Sequence, residues 1–327
     1  MAAPTQLLLG GNTYVCQPGE TVLDALLRQG VSIPHDCRKQ TCLTCLLRSL
    51  DGPPPAAAQA PLKATLTVQH YFLACACRPA RDMAIALPSE TLREEIAVRV
   101  AALNRVSNQV LEIVLHCERP LPYRGGQSVI LLNQDHIGKS FAIASPTSQI
   151  RAGRIELQVE RMAGCCFCEW LHDQLRVGDR LGVFGPFGLM FHVPGDPRQG
   201  IVLAGWGGAL GGLLGILQDV FEHSHSGPVY LFHGAQDAAG LYLVDEIREI
   251  EQYFPNFRYV GCVPRGAAAG SGTTIGDVHQ VMRRLLPDLG GWRAYLAGPR
   301  NFVDRLRRQT YLDGASIKEI FFDVTSA

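Results

Sequence analysis

The chain has 327 residues, of which 30 are basic, 30 are acidic and 11 are cysteines. This length predicts two or three domains, each large enough for its own core. The balanced charge gives no indication of a nucleic-acid partner or of a charged membrane surface. No signal-peptide pattern is found and the chain is too long for a disulfide-stapled miniprotein, so we expect a reducing, cytoplasmic compartment.

Residues 1–88 are predicted to form a small β-grasp domain. Strand patterns over 6–9 and 13–16 flank a turn that contains Gly10 and Gly11, which is a hairpin signal. A helix is expected over 22–29, because Thr21 can cap its start and Gly30 can end it. Residues 51–61 are rich in proline and predict a surface loop.

Four cysteines in this first domain have the spacing of a metal cluster. The pattern C-x4-C-x2-C is followed by a fourth cysteine after a gap of 29 residues. Three thiolates from one loop and a fourth from a separate strand are typical of plant-type 2Fe–2S clusters. A zinc site and buried, unliganded cysteines are the alternatives, although a zinc ribbon would require a second C-x2-C. The predicted cluster ligands are Cys37, Cys42, Cys45 and Cys75.

Residues 89–95 are expected to be a linker, and residues 96–195 to form an antiparallel β-barrel. Short apolar or alternating segments are separated by turn residues in this region, as is typical of barrels. The predicted strands are 96–103, 110–116, 128–132, 141–144, 154–161 and 180–184.

From residue 199 to 327 strand and helix patterns alternate. Residues 201–217 form an apolar run, but its six glycines indicate strand, turn and helix rather than a membrane span. The alternation predicts a doubly wound parallel sheet that binds its ligand at the carboxyl ends of the strands. We expect strands over 201–204, 228–232, 257–263, 292–297 and 319–322, and helices over 210–222, 241–253, 274–285 and 302–312.

This multidomain α+β and α/β order resembles that of NAD(P)H-dependent oxygenase reductases in the ferredoxin–NADP reductase superfamily. Benzoate and naphthalene dioxygenase reductases and the reductases of soluble diiron monooxygenases share it. The resemblance covers essentially the whole chain. It implies that the barrel binds FAD, that the α/β domain binds a nicotinamide cofactor, and that an oxygenase component accepts the electrons.

The flavin strand of the family carries an Arg-x-Tyr-Ser signature, which corresponds here to Lys139, Ser140, Phe141 and Ala142. Lys139 can meet the FAD pyrophosphate as a point charge but lacks the bidentate fork of arginine. Phe141 can stack on the flavin, whereas Ala142 lacks the hydroxyl that the family directs at flavin N5. The alternative is that this segment is only a strand of the barrel core.

A second flavin element of the family is a Gly-Gly-x-Gly-Ser helix start that receives the pyrophosphate. Free amides and the helix dipole bind phosphate whichever side chains are present. Three close cysteines also raise the possibility of a metal site, although their spacing gives poor ligand geometry. The corresponding residues are Gly164, Cys165, Cys166, Phe167 and Cys168.

The nicotinamide half resembles the family through two segments. Gly205, Gly207 and Gly208 form a glycine-rich turn between a strand and a helix, where the backbone can approach a pyrophosphate. No arginine or lysine occurs from 234 to 247, so a 2′-phosphate finds no obvious partner and NADH is favoured over NADPH.

The second nicotinamide segment consists of Ala297, Gly298 and Pro299, which match the family's Cys-Gly-Pro. Alanine therefore replaces the cysteine that contacts the reactive carbon of the nicotinamide in relatives. In the cluster loop, Gln40 and Leu43 stand where relatives have glycine. These replacements raise the question of how tightly the loop turns and whether its amides reach the cluster sulfurs.

The resemblance implies an electron-transfer reductase that uses NADH, FAD and a 2Fe–2S cluster to supply an oxygenase. FAD is needed because nicotinamides give two electrons at once, whereas an iron–sulfur centre accepts one. The alternative is a degenerate paralogue, an assembly or electron-relay protein that retains the cluster without efficient hydride transfer.

Overall fold

The computed structural model describes residues 3–40, 43–88, 94–264 and 272–325. Contacts divide the chain into two compact units, residues 1–93 and 94–327. Among the described residues, no helix is long and apolar enough to cross a membrane.

The first unit is a five-stranded mixed sheet covered by a helix. Its strands follow the spatial order β2-β1-β5-β3-β4, with β1 antiparallel to β2 and parallel to β5. Helix α1 starts at a capping threonine, since Thr21 Oγ1 accepts a hydrogen bond from the Asp24 amide at 3.2 Å. The β-grasp prediction is confirmed. The elements are β1 (Thr5–Leu9), β2 (Asn12–Cys16), α1 (Val22–Arg28), β3 (Leu46–Ser49), α2 (Ala64–Thr67), β4 (Tyr71–Leu73) and β5 (Met83–Ala86).

The second unit begins with six antiparallel strands that close into a barrel. Their spatial order is β10-β7-β6-β11-β8-β9, and a bridge between Ile143 and Leu157 joins the two ends. Alternating apolar side chains fill the interior, and Phe167 of helix α3 packs into the same core. The barrel prediction is confirmed. The elements are β6 (Ile96–Arg105), β7 (Val110–Cys117), β8 (Ser128–Leu132), β9 (Gly138–Ala142), β10 (Arg154–Glu160), α3 (Cys166–Asp173) and β11 (Arg180–Phe187).

The remainder of this unit is a parallel sheet with helices on both faces, as predicted. The spatial order is β15-β14-β13-β12-β16-β17, so the strand order reverses at β12. The carboxyl ends of β12 and β16 therefore form the switch point at which such sheets bind ligands. The elements are β12 (Ile201–Trp206), α4 (Leu210–Glu222), β13 (Val229–Gly234), α5 (Val244–Tyr253), β14 (Phe257–Val263), β15 (Thr274–Ile275), α6 (Val278–Leu285), β16 (Arg293–Gly298), α7 (Arg300–Leu312) and β17 (Ile320–Val324).

Two predicted helix starts are wrong. Thr274 and Ile275 pair with β14 as a short strand, and Gly276 at φ 136° then turns the chain before α6 begins. Helix α5 begins three residues later than predicted, because Leu243 is left-handed at φ 54°. In both places a residue with positive φ interrupts the helical conformation inside an apolar pattern that is typical of a helix.

Helix α4 is held directly against the barrel. A Cβ atom on Gly215 would lie 2.6 Å from the Ile143 carbonyl oxygen, and one on Gly212 would lie 2.7 Å from the Ala142 Cβ. Only glycine permits this approach. One turn further on, the buried Asp219 accepts hydrogen bonds from the Gly125 amide at 3.0 Å and the Thr147 hydroxyl at 2.7 Å. Burial raises the pKa of Asp219, although these donors oppose the shift.

A buried histidine lies beside this contact. His192 is 4 % exposed, its Nδ1 has no hydrogen-bond partner within the described part of the chain, and its ring centroid lies 5.7 Å from that of His223. Burial, reinforced by Arg293, His223, His225 and Arg124, lowers the pKa of His192 to about 3. His192 is therefore neutral in the folded protein at every pH above that value.

We expect His192 to make the protein sensitive to acid. The unfolded chain protonates this imidazole near pH 6.5, whereas the folded chain does so only near pH 3. The contribution of His192 to the free energy of unfolding is thus fully present above pH 6.5. Below pH 6.5 this contribution falls by about 1.4 kcal/mol per pH unit. In His192→Phe, the thermal midpoint should fall less between pH 7 and pH 4 than in wild type. The exposed His116→Phe is the control, and equal slopes in all three proteins would contradict the prediction.

Candidate functional site

The predicted cluster loop makes left-handed turns without glycine. Arg38, Gln40 and Leu43 have φ values of 52°, 65° and 59°. This conformation costs an L-residue about 1–2 kcal/mol. The Lys39 amide donates to Cys37 Sγ at 3.3 Å, so an amide does reach a predicted ligand sulfur. Because an amide donor stabilises a thiolate, the loop suits a thiolate-bound cluster.

Backbone pairing brings the end of this loop next to the fourth predicted ligand. The Ala74 amide donates to the Cys45 carbonyl oxygen at 2.9 Å. Cys75, the residue after Ala74, therefore lies close to Cys45 in space. Cys75 is half-buried, whereas Cys77 is fully buried in the core. Cys42 lies outside the described residues. Among those described, no three His, Cys, Asp or Glu side chains are close enough to hold a metal ion. The four-ligand set therefore stays a prediction.

A cavity of about 460 Å³ in the second unit brings the two predicted cofactor regions together. The barrel contributes residues 139–142 of β9, and the sheet contributes Gly208 from the glycine-rich turn and Ala297 and Pro299 from the end of β16. The cavity thus lies at the switch point of the sheet, where a ligand is expected. Its volume is in the usual range for cofactor and small-molecule sites.

The side chains of the predicted flavin strand, residues 139–142, contact other parts of the second unit as well as the cavity. Lys139 Nζ lies 3.6 Å from Met162 Sδ and 3.8 Å from Cys165 Sγ. Phe141 lines the cavity but is only 9 % exposed, and its ring stacks on Phe167 with centroids 6.5 Å apart. Ala142 points toward helix α4. The strand thus places a lysine and an aromatic side chain at the cavity, and their contact with a flavin stays a prediction.

The predicted second flavin element is the start of helix α3. Gly164 has φ 80°, and the space where its side chain would be is open, so a phosphate can approach the backbone. Cys165 is the N-cap and is joined to Cys168 by a disulfide bond, while Cys166 is exposed. Neither this loop nor any other described part of the chain brings three metal-binding side chains together. These residues lie beside Lys139 but do not line the main cavity.

The glycine-rich turn binds a carboxylate side chain of the protein, that of Glu160. Gly207 is left-handed at φ 55°, and the Gly208 amide donates to Glu160 Oε2 at 3.0 Å. A carboxylate therefore occupies the place where we expect the dinucleotide pyrophosphate. The turn can bind an anion, and Glu160 at the end of β10 competes for it. Gly205 lies in β12 just before the turn.

The end of β16 closes the other side of the cavity. Ala297 is 2 % exposed, and Gly298 follows at φ 148°. A Cβ atom on Gly298 would lie 3.0 Å from the Phe302 ring and 3.1 Å from Trp206 Cβ, so the chain passes between two aromatic side chains. Pro299 then precedes helix α7. The predicted Cys-Gly-Pro equivalent therefore borders the cavity, with a methyl group in place of the thiol.

Two acidic residues of the cavity were not predicted from the sequence. Glu160 binds a turn that lies 48 residues away, which its position at the end of a strand does not reveal. Asp323 of β17 also lines the cavity, and burial raises its pKa. The only signal in the sequence was the position of each at the carboxyl end of a predicted strand.

Comparison with known proteins identifies the same modules. Residues 9–80 match the family of 2Fe–2S iron–sulfur cluster binding domains, and residues 203–308 match the oxidoreductase NAD-binding domain. The phenol hydroxylase P5 protein of Acinetobacter pittii (strain PHEA-2) is 30% identical over 308 residues, which cover 90% of this chain and 86% of that protein. The reductase component DmpP of phenol 2-monooxygenase from Pseudomonas sp. (strain CF600) is 29% identical over 307 residues, 90% and 86% of the two chains.

A solved structure extends the similarity to the complete fold. The crystal structure of the Amycolatopsis cytochrome P450 reductase GcoB superposes with a TM-score of 0.67 at 27% identity and covers 98% of both chains. The family predicted from the motifs is thereby confirmed. The chain belongs to the family of oxygenase reductase components in which a 2Fe–2S domain precedes flavin- and NAD-binding domains of the ferredoxin–NADP reductase type.

Proposed function

We propose that residues around the 460 Å³ cavity of the second unit align NADH with FAD, so that the protein delivers electrons to a separate oxygenase. The observation that carries this proposal is the convergence of residues 139–142, Gly208 and Ala297 on one cavity. Bound FAD would supply the conversion between the two-electron hydride chemistry of NADH and the one-electron chemistry of a 2Fe–2S cluster. The degenerate alternative gains no support, because the relatives that match nearly the whole chain are reductase components.

The side chains of the cavity hold and orient the cofactors rather than exchange protons. Lys139 and the amides at the start of α3 would hold the FAD pyrophosphate. The Gly208 amide would receive the pyrophosphate of NADH once Glu160 leaves it. Ala142 and Ala297 leave room for the two reacting rings between β9 and β16. The roles of Lys139, Gly208, Ala142 and Ala297 rest on their positions at the cavity, and that of the α3 start rests on its position beside Lys139.

We also propose a cytoplasmic location. Cys165 and Cys168 are bonded to each other, but the other eight cysteines of the described residues, including the exposed Cys166, are free, and free thiols persist in a reducing compartment.

The proposed function predicts the spectrum of the pure protein. Anaerobic NADH should bleach flavin and iron–sulfur absorbance, and NADPH should do so with a lower catalytic efficiency. We expect the lower efficiency with NADPH because residues 234–247, which follow β13, include no arginine or lysine to pair with its 2′-phosphate. If the protein carries no flavin and binds none on addition, the proposal is wrong.

The cluster ligands can be tested with a neighbouring pair of cysteines. We expect Cys75→Ser to abolish the cluster, because Cys75 is half-buried beside the loop. Cys77→Ser should leave it largely intact, since Cys77 is fully buried in the core. Iron and acid-labile sulfide per chain, measured after anaerobic purification, distinguish the two. Equal loss in both variants would show that the ligand assignment is wrong.

Removing the charge of Glu160 should strengthen dinucleotide binding. Glu160→Gln keeps the size of the side chain but no longer places an anion at the Gly208 amide. We expect the Kd for NAD⁺, measured by calorimetry on the oxidised protein, to fall by about 3- to 10-fold. Glu156→Gln on the same strand is the control, because Glu156 pairs with Arg154 instead. An unchanged or higher Kd in Glu160→Gln would refute competition at this turn.

Introducing a thiol at the end of β16 should speed hydride transfer. In Ala297→Cys the family's sulfur contact to the nicotinamide is restored, and positioning effects of this kind reach about 100-fold. Stopped-flow reduction by NADH should be faster, with cluster content and FAD affinity unchanged. If wild type is already as fast as the variant, the cavity aligns the nicotinamide without this contact.

A further inference from the structure

Helix α3 starts with a cysteine pair that is joined in a disulfide bond. Cys165 is the N-cap and Cys168 lies one turn inside the helix, with their Cα atoms 5.3 Å apart, a usual separation for bonded cysteines. Cys165 is half-buried next to the exposed Gly164, whereas Cys168 is completely buried. One sulfur of the pair can therefore be reached from solvent and the other cannot.

The surroundings of Cys165 favour its thiolate when the bond is reduced. Its Sγ accepts a hydrogen bond from the Cys168 amide at 3.2 Å and lies 3.8 Å from Lys139 Nζ. A helix N-terminus and a nearby lysine are the two features that make cysteines in such C-x-x-C pairs reactive. Both features are also those that would hold the FAD pyrophosphate.

We propose that Cys165 and Cys168 form a redox-active disulfide that sets how tightly the protein holds FAD. This inference rests on the flavin site proposed above. In the oxidised form the pair is uncharged, so its contacts with Lys139 and the Cys168 amide are weak and the pyrophosphate can displace them. In the reduced form the Cys165 thiolate holds the same lysine and the same amide with a full negative charge. Reduction therefore weakens FAD binding.

The chemistry is a thiol–disulfide exchange with a dithiol as the reductant. One thiolate of the dithiol attacks Cys165 Sγ, the bond to Cys168 breaks, and Cys168 leaves as a thiolate that takes up a proton. The second thiol of the reductant then displaces Cys165 and closes the reductant's own disulfide. Two electrons and one proton move from the reductant to the protein, and the second proton is released to solvent because Cys165 stays a thiolate. The buried Cys168 can later re-form the bond when an oxidised dithiol is in excess.

The proposal is tested by measuring FAD affinity in both redox states of the full chain after the flavin is removed. The protein is equilibrated with reduced or oxidised dithiothreitol, and Kd is measured by the quenching of FAD fluorescence. Alkylation followed by mass spectrometry counts the thiols, and two more should be labelled in the reduced state. We expect Kd to be about 10-fold higher in that state, because one charge-assisted hydrogen bond is lost.

Three variants separate this effect from general damage to the loop. The double variant C165S/C168S should bind FAD with the same Kd in both buffers, because it cannot form the disulfide bond. The serine hydroxyl at the N-cap can still accept a hydrogen bond from the backbone amide of residue 168. Cys262→Ser changes a free cysteine of β14, outside the flavin element, and should keep the full response. Lys139→Gln should bind FAD more weakly in both buffers and should lose most of the difference between them.

The outcomes distinguish the inference from the function on which it rests. If wild type binds FAD equally in both states, or if alkylation finds no disulfide in the oxidised state, the inference is wrong while the flavin site stands. Absence of FAD binding in both states would overturn the flavin site and the inference together.

Discussion

The close packing of helix α4 on the barrel is the constraint on which the cofactor site depends. No atom beyond hydrogen fits on Gly212 or Gly215, and the buried Asp219 ties the far end of the contact to two barrel loops. Because α4 also starts at the glycine-rich turn, its position fixes that turn relative to strand β9. The distance between the proposed flavin and nicotinamide sites is thus set by backbone packing.

This constraint explains how the site tolerates changes in residues near the chemistry. Ala142 and Ala297 lack the polar groups found in relatives, but each keeps a small side chain at a crowded contact. The close packing around these two residues requires a small side chain but not a hydroxyl or a thiol. In the proposed function, alanine at these positions would alter the contacts with the reacting rings without altering the shape of the cavity.

The charges of the cavity follow one principle on both sides. The amide of the glycine turn is paired with the Glu160 carboxylate, and Lys139 lies near the sulfur of Cys165. Internal partners thus satisfy polar groups at the edge of the cavity, and burying such groups without a partner is costly. In the proposed function the same partners would compete with the phosphates of the cofactors, which would lower the affinity for them.

The sequence was sufficient for the architecture and for the local motifs. Strand periodicity, the cysteine spacing and the glycine-rich turn each depend on residues near one another in the chain, so the three types of sheet could be predicted. The contact of Glu160 with Gly208 and that of Asp219 with Thr147 join residues 48 and 72 positions apart. Such pairs leave no local pattern. The starts of α5 and α6 were missed because Leu243 and Gly276 interrupt the backbone inside an apolar repeat.

The left-handed residues of the cluster loop have a consequence for iron supply. Arg38, Gln40 and Leu43 together cost roughly 3–6 kcal/mol relative to relaxed conformations. A bound cluster holds the thiolates in place and offsets this cost. When the cluster is lost, the loop lowers its free energy by leaving the left-handed region. The left-handed residues therefore make the conformation of this loop depend on whether the cluster is bound.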